Sequence, residues 1–503
     1  MNRAPLSLAA GIAALAVTAG LATFTKPAAP DAAAAGAAAR LPVERSTLLC
    51  PAPSGSDLAE TAYTSITPLG GDGAKGKPRA GRATLLPAPD GSTGEPQKSK
   101  TKAAPKAVVT LTEPGKPAAG TATGAEAPAL VGAAEGGLAP GWAAQQTTVI
   151  SAGTTRGVLG ISCTPPDTEF WFPGTSTAKS RQDYLHITNP DDSPAVVDVE
   201  LYGPEGVIKS ESGEGIPVPA MSSVPVLLST LTSSPVADLT VHVSTRSGRV
   251  GAAVQAREEG VGADWLPASA TPSNSLVLPG IPADATSVRL IAFAPGETDA
   301  DLTLKLAGPS SSFTPAEAED LHIKAGMTAT ADLKDVTRGE AGSLLLTPTN
   351  PRQPTPVVAA LRITRGSGAK QELAFVPAAS PVGERATAAD NRSAGSTLSL
   401  TATRADSTVR VTASAGTGGG TAVSKTYTIK AGTTQAVEPP VPSGLKGAYA
   451  LTVETTGGGP VYAARTLEVP TEGIPMFTVQ TLLDDRGTVT VPKAVEELSV
   501  LDE

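Results

Sequence analysis

Between Tyr184 and Pro267 apolar and polar residues alternate run after run, and no other feature constrains the fold as tightly. Val197, Val199 and Leu201 share one face, with Asp198 and Glu200 on the other. Leu239, Val241 and Val243 repeat the pattern against Thr240, His242 and Ser244. Turn formers separate the runs: Asn189-Pro190-Asp191-Asp192, Gly203-Pro204-Glu205-Gly206 and Ser247-Gly248. Period-2 alternation with Gly/Pro punctuation predicts antiparallel sheets, each with one face in a core and one in water.

The same marks recur downstream. A turn-and-strand element reads VPAMSS at Val218–Ser223, IKAGMT at Ile323–Thr328 and IKAGTT at Ile429–Thr434, so Ala220, Ala325 and Ala431 are 105 and 106 residues apart. A later strand carries an Ala-Ala step ending at Ala253, Ala360 and Ala464. Opening strands fall in step at Leu185–Thr188, Val288–Phe293 and Thr397–Thr401. Closing patches follow at 170–173, 265–267, 375–377 and 476–479. Independent marks at one spacing define an internal repeat. A unit near 100 residues with about seven short strands has the size of an immunoglobulin-like or fibronectin-like sandwich.

The expected fold is therefore all-β: tandem antiparallel β-sandwich units behind an N-terminal export signal or anchor helix. With 503 residues the chain is too long for one core. The expected divisions are 1–25, signal peptide or membrane anchor; 26–40, an Ala/Pro spacer; and 41–173, a degenerate disulfide-stapled β unit with a disordered insert at about 70–129. Sandwich units follow at 174–267, 268–377 and 378–483, then an acidic segment at 484–503. Within the insert only Ala83–Leu86 and Ala107–Thr112 read as strands, because Gly-, Pro-, Ala- and Lys-rich stretches bury too little surface to offset chain entropy. Pro315–Asp320 and Lys493–Leu501 are short helix candidates. Aromatics are 3% of the chain, so the cores must be built from Val, Leu, Ile, Ala and Thr.

Met1-Asn2-Arg3 followed by the uncharged run Ala4–Phe24 reads as an export signal. Cleavage after Ala19 or Ala22 would release the chain; retention of residues 4–24 would anchor it to the outer face of the cytoplasmic membrane. The Ala/Gly/Thr composition of the run partitions weakly into lipid. No Cys follows the run to carry a lipid, and no LPxTG-like sorting signal stands near the end of the sequence. Either fate puts the bulk of the chain outside the cytoplasm, where an even pair of cysteines is normally oxidised. Cys50 and Cys163 are expected to form a structural disulfide, disfavouring the unfolded chain by roughly 4–5 kcal/mol on a chain-entropy model. A redox role would need CxxC spacing and a polar activating neighbourhood, which these two lack. A net charge of −9 argues against a nucleic-acid partner, since phosphate binding requires a concentrated basic face.

Several stretches carry residue types that other proteins use for chemistry. Ser176-Thr177-Ala178-Lys179 fits SxxK, which needs a helix start and a partner KTG motif that the sequence lacks. Gly71–Lys77 fits GxxxxGK, but Pro78 stands where a phosphate loop needs Ser or Thr. His186, His242 and His322 read as lone surface histidines, with no HxH or HExxH spacing to join them on zinc. The turns with Asn189, Asp191 and Asp192, and with Glu297, Asp299 and Asp301, could hold calcium but lack EF-hand spacing. Trp142, Trp171 and Trp265 sit in or beside closing patches, where packing between units is a better reading than a sugar platform. No catalytic, cofactor-binding or metal-binding residue is assigned, and no cofactor is implied.

The runs LLCPAP (48–53), DTEFWFP (167–173), RQDYLHITNP (181–190) and EELSVL (496–501) resemble an uncharacterised family of exported, cell-envelope-associated actinomycete proteins, catalogued only as a domain of unknown function. The resemblance implies an extracytoplasmic location and supplies no catalytic residue. The functional expectation is a non-enzymatic scaffold, adhesion or assembly protein of the bacterial cell envelope, with an unidentified envelope protein or wall polymer as partner. A glycan- or wall-polymer-binding module is the alternative.

Overall fold

In a computed structural model of the chain, residues 39–69, 80–92, 105–153, 156–210, 212–316 and 318–492 are described. The export signal or anchor, nearly all of the Ala/Pro spacer, the GxxxxGK stretch and the helix candidate at Lys493–Leu501 lie outside them. Among the described residues the helices are two single turns, Leu228–Thr230 and Gly368–Lys370, and the rest of the regular structure is strand. The described residues of Pro315–Asp320 form no helix: Ala316 lies in a turn, and Asp320 opens the strand Asp320–Ile323.

The chain divides into two units. In the smaller, Ala39–Pro42 and Thr488–Val491 form a two-stranded antiparallel ribbon, with Ala39 opposite Val491 and Pro42 opposite Thr488. Residues 43–487 make up the larger, whose described residues form eight antiparallel sheets arranged as four pairs, each pair closed over its own core.

The second pair shows the plan. Its first sheet runs Glu169–Thr175, Leu239–Ser247, Ala195–Gly203 and Gly206–Ile208, with Ile216–Val218 also on Ala195–Gly203. Its second runs Ser223–Leu227, Arg181–Thr188, Gly251–Glu258 and Gly262–Leu266. Val197, Val199, Leu201, Leu239, Val241 and Val243 point from the first sheet onto Leu185, Ile187 and Val254 of the second. The alternation predicted this face directly, and Glu200 on the opposite face is exposed.

The other pairs repeat the plan. In each, the strand after the opening one is flanked by two others: the strand that follows the repeated turn and the strand with the Ala-Ala step. For the third pair these are Ala285–Phe293, Thr328–Lys334 and Val358–Arg365; for the fourth, Ser396–Ala402, Thr433–Val437 and Val461–Glu468. In the first pair Ala59–Ile66 lies between Ala118–Thr123 and Ala143–Ile150. The repeated turn is conformationally equivalent in its three copies, because Met221, Gly326 and Gly432 all take left-handed φ values of 52°, 67° and 72°.

Two expectations are revised. Phe170–Pro173 does not close the first pair; it is hydrogen-bonded to Leu239–Ser247 and opens the second, sending Phe170 and Phe172 into that core. The first pair ends instead on Gly157–Ser162. The stretch at about 70–129 contains the strands Gly81–Ala88, Val109–Leu111 and Ala118–Thr123. The last, AAGTAT, has only small side chains and sits at a sheet edge, so composition hid it. Cys50 and Cys163 are disulfide-bonded with Cα atoms 4.5 Å apart, beside a two-hydrogen-bond bridge between Leu49 and Thr164.

Candidate functional site

The motifs singled out in the sequence are scattered. Ser176 is buried, its hydroxyl donates to the Val236 carbonyl and accepts from the Ala178 N–H, and Lys179 lies exposed in a turn with no helix between them. Asp191 is held by Arg249 through two bonds of 3.0 and 3.1 Å. Asn189 donates to the carbonyls of Ser193, Val218 and Pro219. His322 meets Asp301 at 2.7 Å and Asp299 at 3.6 Å on an exposed edge. His242 lies between Glu200 at 2.9 Å and Glu169 at 3.1 Å, stacked on Trp171 with ring centroids 3.8 Å apart.

His186 departs most from expectation, being buried rather than on the surface. Alternation turned it away from the second core, as predicted, but that outer face is covered by the first sheet pair. Its ring meets Trp265 edge-on at 5.3 Å. Burial, helped by the Arg257 charge, pushes its pKa down to about 3. The adjoining crevice, lined by Leu49, Ile161, His186 and Ala253, measures about 10 Å³, room for no more than one water.

The tryptophans explain what the covered faces do. Trp265 packs with Ala253 on Leu159 and Ile161 of the first pair. The corresponding Phe375 and Ala360 join the core of the second pair. Val479 and Ala464, with Phe477, join the core of the third. Trp171 likewise packs on Phe293 and Val358 of the third pair, while Trp142 belongs to the first pair's own core and donates to Ser65 Oγ at 2.8 Å. Arg181, ion-paired with Asp183 at 2.6 Å, lies over the Phe375 ring at 5.4 Å. The small Ala-Ala step lets each sheet approach the preceding pair closely.

These junctions close on themselves. The closing strands Gly157–Ser162, Gly262–Leu266, Glu372–Pro377 and Phe477–Leu482 touch in sequence order, and the last returns to touch the first. Where they meet, polar side chains are buried together. Asp264 Oδ1 accepts from the N–H groups of Trp265 at 2.8 Å and Gly160 at 3.1 Å and from Thr478 Oγ1 at 3.2 Å, binding three sheet pairs through one oxygen. Burial, with Glu372 adding, drives its pKa well above the carboxylate range against those three hydrogen bonds. Burial likewise raises Glu372 to about 8, with Arg156 opposing. Arg156 donates to the carbonyls of Val261, Ala369 and Gln371, so a residue of the first pair holds loops of the second and third. Arg465 is fully buried, which lowers its pKa to about 10, and donates to Gln145 Oε1 at 3.2 Å and to Gln480 Oε1.

Sequence reasoning did not find this polar centre. The available signals were single deviations: Asp264 inside GADWL, Gln145-Gln146 inside a strand, and Arg465 where the other Ala-Ala steps continue with Val254 and Leu361. Chemically, the arrangement cross-links the first, second and fourth sheet pairs through buried hydrogen bonds and reaches the third through the partly buried Arg156. Among the described residues no group of three or more His, Cys, Asp or Glu is placed to hold a metal ion. A family model described as a family of unknown function (DUF5719) matches residues 118–440, and no curated protein matches the chain.

Proposed function

The chain belongs to the DUF5719 family of unknown function, and from that premise we propose that it is a non-enzymatic scaffold, adhesion or assembly protein of the bacterial cell envelope. The proposal includes export, as in the actinomycete proteins whose motifs it resembles, and either release or anchoring through residues 4–24. The carrying observation is the ring of junctions. Asp264, Glu372 and Arg465, all buried and with displaced pKa values, tie sheet pair to sheet pair. The disulfide is consistent with an oxidising compartment.

In finer detail the proposal is a closed array of four β-sandwich units. The likeness to an immunoglobulin domain lies in four central strands, matching its strands B, C, E and F, in which B pairs E and C pairs F. In the second sheet pair these contacts are Arg181–Thr188 with Ser223–Leu227 and Ala195–Gly203 with Leu239–Ser247. The opening strand and the Ala-Ala strand sit in the opposite sheets from those an immunoglobulin domain would give them.

Crosslinking on intact cells tests location and partner together; recovery only with cytoplasmic proteins would overturn the proposal. Turnover of an envelope substrate that Ser176→Ala abolishes would overturn its non-enzymatic part. The alternative, a glycan- or wall-polymer-binding module, loses its best argument here, since Trp142, Trp171 and Trp265 are all buried. Retention of the protein on isolated wall material would restore it.

A further inference from the structure

Three of the four junctions join sheet pairs that follow one another along the chain. The fourth, between the last pair and the first, has no connecting segment; apart from one backbone bond at its edge, from the Val43 N–H to the Gly487 carbonyl at 3.1 Å, it is held by side chains. It is also the most polar. Where the other junctions bury Trp265, Phe375 or Val479, this seam buries Gln145, Gln146, Asp390 and Arg465. Thr64 Oγ1 donates to Asp390 Oδ1 at 3.4 Å, the Asp390 N–H to Gln145 Oε1 at 3.0 Å, and Arg465 to the same Gln145 oxygen. Its apolar part is the small cluster of Ile66, Ala389 and Ala450.

The seam also leaves buried polar atoms without partners: both amide atoms of Gln146, Thr147 Oγ1, Asp390 Oδ2, and Arg465 Nε and Nη1. An unsatisfied buried polar group costs about 1–3 kcal/mol, more when charged. A junction burdened in this way is the one that opens first. The segment joining the third pair to the fourth is short. Ala379 N–H is still bonded to the Val277 carbonyl of the third pair, and Val382 N–H is already bonded to the Val461 carbonyl of the fourth. Only Ser380 and Pro381 lie between, both exposed. Short hinges of this kind favour domain exchange.

We propose that two copies of this chain exchange their fourth sheet pairs, each swinging about Ser380-Pro381 so that Asp390 and Arg465 of one copy meet Thr64 and Gln145 of the other. The swing also parts Ala464, Phe477 and Val479 from the third pair's core, and the exchanged dimer re-forms both that junction and the seam with the contacts of the closed form, so the two forms differ chiefly in hinge conformation and concentration dependence. The inference stands on the seam and hinge alone and does not depend on the envelope role proposed above.

The test uses two cysteine pairs in the full chain, each with a short bis-maleimide crosslinker, after concentrated protein has been held in mild denaturant and returned to buffer. Thr64→Cys with Asp390→Cys reports the seam. Glu258→Cys with Arg362→Cys reports the junction of the second and third pairs, where Arg362 meets Glu258 at 2.6 Å. Exchange predicts covalent dimers from the first pair and crosslinks confined to one chain from the second. Crosslinks within one chain from both pairs, or between chains from both, overturn it. Light scattering on the unaltered chain guards against loss of folding in these variants. A species of twice the monomer mass should form on concentration and be depleted when Gly-Gly-Ser is inserted after Pro381. A monomer at every concentration, or a dimer indifferent to that insertion, refutes the exchange.

Discussion

Arg465 and Gln145 stand 320 positions apart and hydrogen-bond at 3.2 Å, where the last sheet pair of the chain meets the first. Gln145 Oε1 also takes the Asp390 N–H, and its amide nitrogen donates to Ser162 Oγ at 3.0 Å, so this glutamine touches three strands. Arg465→Leu restores the residue type that Leu361 provides in the third pair but leaves Gln145, Gln480 and Asp390 short of a donor or countercharge. Removing one partner from a buried charged cluster typically costs about 3–5 kcal/mol. Denaturant melts should show the midpoint falling by that equivalent. An unchanged midpoint would mean that apolar packing compensates and that the polar seam is not stabilising.

The buried acids set a pH dependence with a definite sign. Glu372 has a folded pKa of about 8 against 4.5 for the ordinary side chain, because burial disfavours its charged form. Its stabilisation is therefore complete below about pH 4.5 and is lost as pH rises toward 8. Asp264, also raised by burial, acts in the same direction. His186, lowered to about 3, acts oppositely, losing stabilisation as pH falls from 6.5 toward 3. Above the ordinary histidine range only the acids contribute, so the melting temperature should decline between about pH 6.5 and 8. Glu372 contributes at most about 1.4 kcal/mol per pH unit. Glu372→Gln should flatten this decline, and an equally steep profile in the variant would exclude Glu372 as its source.

The sheets were legible in the sequence because their signal is local. The alternation at Val197–Leu201 and Leu239–Val243 named the inward faces correctly, and the IKAG turns marked equivalent positions in successive pairs. The cysteine pairing followed from compartment and count, and the two sulfurs are bonded. What alternation could not supply was the second covering of a sheet. His186 and Trp265 were turned away from their own core, and only the neighbouring pair decides that this outer face is dry. Ring closure lay further out of reach. Gly160, Asp264 and Thr478 meet through contacts between strands more than 100 residues apart, and no short-range pattern encodes that.

Gly160 offers a sharp test of this closure. A Cβ built there would lie 2.5 Å from Thr478 Cγ2 and 2.8 Å from Thr478 Oγ1, and the β-branched threonine has little freedom to move aside. The glycine permits the close approach of the first and fourth pairs at the strand Gly157–Ser162. Gly160→Ala should destabilise by about 1–3 kcal/mol through overpacking. Thr478→Ser, which deletes the nearer atom, should recover part of the loss in the double variant. Purely additive effects would place the strain elsewhere.

The repeated turn yields the last prediction. Met221 has φ of 52° at the position where Gly326 and Gly432 have 67° and 72°, so a side chain occupies a left-handed conformation that its two counterparts reach without a Cβ. Met221 is 37% exposed, and its side chain belongs to none of the buried core clusters. The left-handed backbone costs a residue other than glycine about 1–2 kcal/mol, and glycine gives back part of that gain through its larger unfolded-state entropy. Met221→Gly should therefore stabilise the chain by about 0.5–1 kcal/mol, a rise of a few degrees in melting temperature at most. The reverse exchange, Gly326→Met, should destabilise by a similar amount. If the first lowers the melting temperature, the Met221 side chain contributes more through surface contact than the left-handed backbone costs, and the equivalence of the three turns is one of backbone shape alone.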